Sequence, residues 1–314
     1  MSRGKIIQIA IAVCAVILAG AVIITSTGAL KDIGAYADAE KYTAGETDIS
    51  GGIAGLDVHW TSGRVIIAYH GEDTVLLRET ADRTLSEDEK MRWWMDGDTL
   101  RIQYAKSGIR LAMPEKVLTI TLPEGTELKD VKIQTNSAGV EIPGMKAERL
   151  EVGSTSGSII AAAEARTAAF SSTSGDLKIR MTGEAESIEL GSTSGSIAAE
   201  ADKAIQITAG TTSGGIRITA AESGSVKAGS TSGNIDLKLG KVRSLEANAT
   251  SGSITAALPE TPGFTAKVSL TSGSFESGIP LTKNGNQYVC GDGSARISIG
   301  TTSGDVRITA AEGD

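Results

Sequence analysis

The sequence predicts an all-β chain: a single-chain β-solenoid (β-helix) of about 19-residue coils, opened by an N-terminal β cap and preceded by one transmembrane helix. Three observations predict it. A Thr-Ser-Gly tripeptide recurs at nearly constant spacing, an apolar residue stands at one fixed offset from every copy, and a 19-residue apolar run lies near the start.

The apolar run extends from Ile6 to Ile24, with Gln8 its one polar residue. At 1.5 Å per residue such a helix covers about 28 Å, close to the ~30 Å hydrocarbon core of a bilayer. Arg3 and Lys5 precede it. Positive charge stays in the cytoplasm, so residues 1–5 are expected there, 6–26 form the anchor, and the remainder lies outside the cell membrane. Ala35-Tyr36-Ala37 resembles a signal-peptidase triplet, but it lies more than ten residues beyond the run. A cleavage site belongs close to the apolar segment, so the anchor is expected to remain uncleaved. Cys14 follows Val13 rather than a small residue, which argues against a lipoprotein signal and leaves Cys14 as a small hydrophobe. Residues 27–47 read as a linker.

Beyond it, Thr-Ser-Gly begins at Thr61, Thr155, Thr173, Thr193, Thr212, Thr231, Thr250, Thr271 and Thr302, with Asn136-Ser137-Ala138 a degenerate copy. From Ala138 to Gly273 the spacings are 19, 18, 20, 19, 19, 19 and 21 residues, the period of stacked coils. Two positions after each Gly, or after Ala138, stand Val65, Val140, Ile159, Leu177, Ile197, Ile216, Ile235, Ile254, Phe275 and Val306, all apolar. Three before the Thr come Val152, Phe170, Leu190, Ala209, Ala228, Ala247, Val268 and Ile299, with a second apolar set two residues earlier. Polar residues such as Glu189, Lys227 and Glu246 lie between them, so each flank has the strand period of two and buries one face. The inward residues on either side of the tripeptide are an odd number apart, so the tripeptide must turn a corner. Gly suits a corner by accepting positive φ, and the tripeptide hydroxyls can bond local backbone. A 19-residue coil cannot bury its own apolar face, so the coils must stack at about 4.8 Å around a shared aliphatic interior. No Pro falls between Pro143 and Pro259 to interrupt the ladders.

Residues 48–145 differ. They hold all three Trp and both His, and read as a bulkier β cap containing a hairpin through Asp96-Gly97 and the strand KVLTITLPEG. Ser86 to Glu89 has the pattern of a capping box for a short helix. Residues 146–314 are the solenoid repeats. The spacing from Gly273 to Gly304 is 31, one repeat plus about a dozen residues, which places a hairpin insertion near 277–296 with its turn at Asn284-Gly285.

The elements KVLTITLPEG, the serial STSGSI coils and the terminal GDGSARISIGTTSGDVRI resemble the bacterial putative adhesin family, a domain of unknown function with a β-solenoid fold, over about residues 48 to 314. Related domains stand in anchored proteins of cell-envelope stress systems. The resemblance therefore implies a surface-located, non-enzymatic scaffold and no catalytic residues.

The residues themselves point the same way. Gly153-Ser-Thr-Ser-Gly157 has Thr155 where a nucleophile elbow needs Ser, and the pattern recurs as no nucleophile would. His59 and His70 have no Cys, Glu or second His at ligand spacing. Trp93 and Trp94 point to opposite faces of one strand, so at most one lines an exposed platform. The charges Asp176, Lys178, Arg180, Glu200, Arg217 and Lys238 are scattered singly with both signs mixed instead of lining a basic groove with clustered carboxylates, which argues against a polysaccharide lyase. A net charge of −8 argues against nucleic acid. Two cysteines give no disulfide framework, and Cys290 reads as a small buried hydrophobe. No catalytic, metal or cofactor-binding residue is expected, and no cofactor. Two readings remain: an adhesin-like surface binding scaffold for cell-envelope polymer, or an extracytoplasmic sensor or regulator that contacts a membrane protein. Recognition is expected at the irregular features, the cap with Trp93 and Trp94 and the hairpin at Asn284-Gly285.

Overall fold

A computed structural model describes residues 36–108 and 113–311. The predicted cytoplasmic residues 1–5, the anchor at 6–26 and Cys14 lie outside the described residues; among these, no helix is long and apolar enough to cross a membrane. Apart from a 3-10 turn at Ala39–Lys41, their regular structure is entirely β. The chain divides after Lys178 into two compact units.

The first unit contains β1 (Thr43–Ala44), β2 (Thr47–Ser50), β3 (Gly55–Trp60), β4 (Gly63–His70), β5 (Thr74–Ala81), β6 (Arg92–Asp96), β7 (Thr99–Gln103), β8 (Lys116–Pro123), β9 (Glu127–Thr135), β10 (Gly139–Ser154) and β11 (Ile159–Ser172). Strand β3 runs parallel between β7 and β9, and β4 parallel between β8 and β10, so the β3–β4 coil lies between two coils that follow it in sequence. Antiparallel strands then close the stack, with β6 on β7 and β1 on β6, and β5 on β8 and β2 on β5. The alternation does what the sequence requires of it: Leu56, Val58, Trp60, Val65, Ile67, Leu118 and Ile120 all point inward and are buried. The Ser86–Glu89 segment is a single hydrogen-bonded turn, not a helix. Glu89 Oε2 accepts from Ser86 N and from Ser86 Oγ, both at 2.9 Å, and β6 begins at Arg92, too soon for a helix to propagate.

Strand β12 (Leu177–Ser192) straddles the division. The second unit continues with β13 (Ile197–Thr211), β14 (Ile216–Ser230), β15 (Ile235–Ala249), β16 (Ile254–Leu258), β17 (Gly263–Ser272), β18 (Phe275–Ser277), β19 (Thr282–Asn284), β20 (Gln287–Gly291), β21 (Ala295–Ser303) and β22 (Val306–Ala310). Equivalent residues stack in register: Ile197 pairs with Ile216, Ile216 with Ile235, and Ile235 with Ile254. Every apolar position named from the sequence beside the tripeptides is buried except Val268 and Phe275, which are half-buried on one coil, β17–β18.

That coil also breaks the sequential order the spacing implies. The chain leaves β16, forms β17 and β18, turns through the β19–β20 hairpin, and returns as β21–β22 into the gap between β15–β16 and β17–β18. One physical reason is visible at the corner. Thr301 Oγ1 donates to Gly252 O at 2.9 Å, whereas the corresponding residue of the β17 coil is Leu270, which has no hydroxyl to offer.

The corners themselves differ from the sequence reading in two ways. The buried hydroxyls belong to the residue just before the tripeptide, as at Thr135, Ser154, Ser172, Ser192, Thr211, Ser230 and Thr301, while Thr155, Ser156, Thr173, Ser174, Ser194, Ser213, Ser232 and Ser251 are exposed. Five of these hydroxyls, those of Ser154, Ser172, Ser192, Thr211 and Ser230, cap their own corner: Ser154 Oγ accepts from Gly157 N at 2.8 Å, Ser192 Oγ from Gly195 N at 2.8 Å and Ser230 Oγ from Gly233 N at 2.7 Å. Positive φ is also not what most of these glycines supply. Gly157, Gly175, Gly214, Gly233 and Gly252 all have ordinary φ, and a Cβ on any of them would overlap the backbone carbonyl of the corner residue one coil earlier. Glycine is required there because adjacent corners touch.

Residue 249 is a gap in the hydroxyl column, a buried Ala between Ser230 and Thr301 of the coils on either side. Ala249→Ser adds an acceptor for Gly252 N in a site already shaped for it. The expected result is a gain of about 0.5–1.5 kcal/mol in chemical denaturation, the net worth of one buried hydrogen bond. A loss of stability would mean that Ala249 packs in a way the other corners do not.

Candidate functional site

Many charges on the solenoid walls pair across neighbouring coils. Side chains one coil apart meet as ion pairs: Arg180 with Glu200 at 2.6 Å, Lys203 with Glu184 at 3.1 Å, Arg217 with Asp236 at 3.2 Å and Lys241 with Glu222 at 3.7 Å. Most of these side chains are about half exposed, so each pair adds little stability. What they do is neutralise each other, leaving the walls without a one-signed groove. Among the described residues no group of three His, Cys, Asp or Glu could hold a metal ion.

The cap arranges its surface differently. Strand alternation sends Trp93 to the inner side, opposite the buried Ile102, and Trp94 to the outer side, opposite Arg101. Strand β1 lies along β6, and the chain leading into it brings two tyrosines to Trp94. The ring centroids of Tyr42 and Trp94 are 5.7 Å apart and those of Tyr36 and Tyr42 are 4.9 Å apart, all edge-to-face. Tyr36 is fixed at both ends, with its hydroxyl donating to Ala105 O at 3.1 Å and Ser107 Oγ accepting from its backbone N at 3.2 Å. Cations flank the rings: Lys41 Nζ lies 4.6 Å above the Trp94 ring and the Arg101 guanidinium 6.0 Å from it.

Arg101 links this cluster to the next coil through Asp57, at 2.6 Å, and also holds Asp96 at 3.0 Å. His59 Nε2 lies 3.2 Å from Asp57 Oδ1. Burial pushes the Asp57 carboxyl up, but His59 and the charges of Arg101 and Lys132 outweigh it, so Asp57 stays below the usual carboxylate range. The other histidine, His70, places Nε2 2.6 Å from Thr74 O, so that nitrogen donates to the carbonyl and is no free base. The two histidines are therefore not brought together. The structure gathers Trp94, Tyr42 and Tyr36, and places Trp93 on the other face.

The predicted hairpin is present, with Asn284 paired to Gln287 across Gly285 and Asn286. Gly285 has φ +60°, the conformation a two-residue β-turn demands at that place. Tyr288 of the hairpin packs on Phe275 at 4.8 Å between centroids. Cys290 is buried opposite Phe264, and burial pushes its thiol pKa up, aided by the Glu260 charge.

Sequence reasoning missed one cluster. Lys116 is fully buried, and its ammonium donates to Glu79 Oε1 at 2.6 Å, to Glu89 O at 2.7 Å and to Tyr104 O. It also lies 3.9 Å from the Tyr104 ring centroid and 4.8 Å from that of Trp60, which pack edge-to-face on each other. Glu79 is 4% exposed and accepts from Met91 N through both carboxylate oxygens. Every polar atom of this pair is engaged by the cap itself, so the cluster holds the fold together and is closed to ligands.

The model of one family, Toastrack DUF4097, matches residues 53–309, which span both the cap and the serial coils. The chain belongs to the Toastrack DUF4097 family. No curated protein sequence matches it. Among solved structures, this Toastrack chain is similar to a putative adhesin from Parabacteroides distasonis, at 12% identity over 85% of this chain and 97% of that one, with a TM-score of 0.45. A putative cell adhesion protein from Clostridium sporogenes shares 12% identity over 86% of this chain and 100% of that one, with a TM-score of 0.27. A putative lipid binding protein from Parabacteroides distasonis shares 16% identity over 85% and 96%, with a TM-score of 0.40.

Proposed function

We propose that this Toastrack chain is a non-enzymatic, membrane-anchored extracytoplasmic binding scaffold, held in the cell membrane by residues 6–26, that contacts cell-envelope polymer through the outer face of its cap. The observation that carries this is the gathering of Tyr36, Tyr42 and Trp94, with Lys41 and Arg101 beside the Trp94 ring, on one face of the cap. Aromatic rings beside cations offer apolar area and charge together, the combination that recognises an extended polar polymer or a protein loop.

The test is retention of the full chain, in detergent, on immobilised cell-wall polymer and, in a second arm, on solubilised membrane proteins from the same envelope. Wall polymer should retain the native chain, and the pair Trp94→Ala with Tyr42→Ala should lose at least tenfold in affinity while keeping a native melting profile. Retention by membrane proteins alone would replace this reading with the sensor or regulator. Polymer turnover abolished by one side-chain change would overturn the non-enzymatic reading.

A further inference from the structure

The β17–β18 coil is the outermost layer of its unit on the side away from β15, because β21 and β22 cover only its inner edge. On the outer edge, the hairpin strand β20 pairs with Gly263–Ala266 alone. Among the described residues, Val268 to Ser272 have no ladder partner on that side. A terminal coil of a soluble solenoid should be polar on its open side. This one is the reverse, with half-buried Val268, Leu270 and Phe275 on it.

Leu270 is the informative residue, because its position carries a buried Ser or Thr in most of the other coils. The first tripeptide also departs from that rule, with Trp60 in the same position. There the chain supplies its own cover: Trp60 is 2% exposed beneath Tyr104 and Lys116. Among the described residues nothing comparable lies over Leu270, so an apolar residue stands at a corner that they leave half-buried.

We propose that this edge is a self-association surface, on which β17 of one copy pairs antiparallel with β17 of a second copy of this chain. The free segment is five residues long, uncharged and centred on Leu270. A two-fold axis through Leu270 sets Leu270 against Leu270 and Val268 against Ser272, and keeps Val268 and Leu270 on the inner face of both coils. The hairpins bound the paired segment on either side, since each covers the residues immediately before Val268 on its own copy. No like charges meet in this register, and the same edge serves both copies, so two open edges are removed at once.

The experiment is sedimentation equilibrium of the full chain in detergent, with cross-linking as an independent readout. The native chain should form a dimer, and Leu270→Lys should raise its dissociation constant at least tenfold with an unchanged circular dichroism spectrum. In a Cys14→Ser background, Leu270→Cys should give a disulfide-linked dimer on mild oxidation, while Lys238→Cys on an exposed wall should not. A chain that is monomeric at every concentration overturns the proposal. So does a dimer that Leu270→Lys leaves intact and Leu270→Cys fails to trap, because association would then occur elsewhere.

Discussion

Lys116→Met is expected to destabilise the cap by about 3–5 kcal/mol, because it leaves the Glu79 carboxylate buried beside two aromatic rings with its counter-charge removed. Lys116 is 0% exposed and Glu79 4%, so solvent cannot step in as it would for the wall pairs. Methionine nearly matches the lysine stem in volume, which keeps the cavity contribution small and isolates the charge. Adding Glu79→Leu should recover part of the loss, since a buried pair exchanged for apolar side chains is often close to neutral. Recovery should stay incomplete: the carbonyls of Glu89 and Tyr104 lose a donor, and Met91 N loses its acceptor. Chemical denaturation of the native chain, the single variant and the double variant measures this. A single variant costing under about 1 kcal/mol would show that water reaches the pair.

Half of that cluster was legible in the sequence. In KVLTITLPEG the inward parity is set by Leu118, Ile120 and Leu122, and Lys116 falls on the same parity, so a buried lysine was readable from alternation alone. Its partner was not readable, because Glu79 reaches Lys116 only through the antiparallel β5–β8 pairing, a contact between elements that share no repeat. The serial coils were legible for the opposite reason, since a fixed period converts one register into all of them. The same uniformity hid the order of the last coils. Any coil with this alternation can stack on any other, so parity cannot show that β21–β22 lies inside β17–β18. Ala249 and Trp60 lack the hydroxyl in inner coils too, so only the large aliphatic side chain of Leu270 in that position sets the outer coil apart, one residue outside the tripeptide that draws the eye. The aromatic cluster was half legible too: alternation separates Trp93 from Trp94, but Tyr36 and Tyr42 join Trp94 through β1, a two-residue strand with no pattern of its own.

Gly233→Ala should be the most damaging single methyl addition in the repeats. The added Cβ would run into the carbonyl oxygen and carbon of Gly214 and the amide of Gly215, all backbone of the adjacent coil. A flexible side chain could swing aside, but here the whole of β14 would have to move away from β15, and those strands are paired in register from Ile216–Ile235 to Ser230–Ala249. Overpacking that distorts backbone costs about 1–3 kcal/mol in ordinary cores, and more where a continuous ladder must part, so a loss above about 3 kcal/mol is expected. Gly215→Ala is the matched control. It lies next to the corner and has ordinary φ, and its added Cβ would be 3.6 Å from Asn234 O, normal contact distance, so its cost should stay below about 1 kcal/mol. Thermal melts of the two variants separate the explanations for glycine at the corner. If positive φ were the requirement, Gly233→Ala would be mild, since Gly233 does not use it. If close approach of successive coils is the requirement, the two variants should differ by more than 2 kcal/mol, roughly the gap between a forced backbone shift and a tolerated methyl.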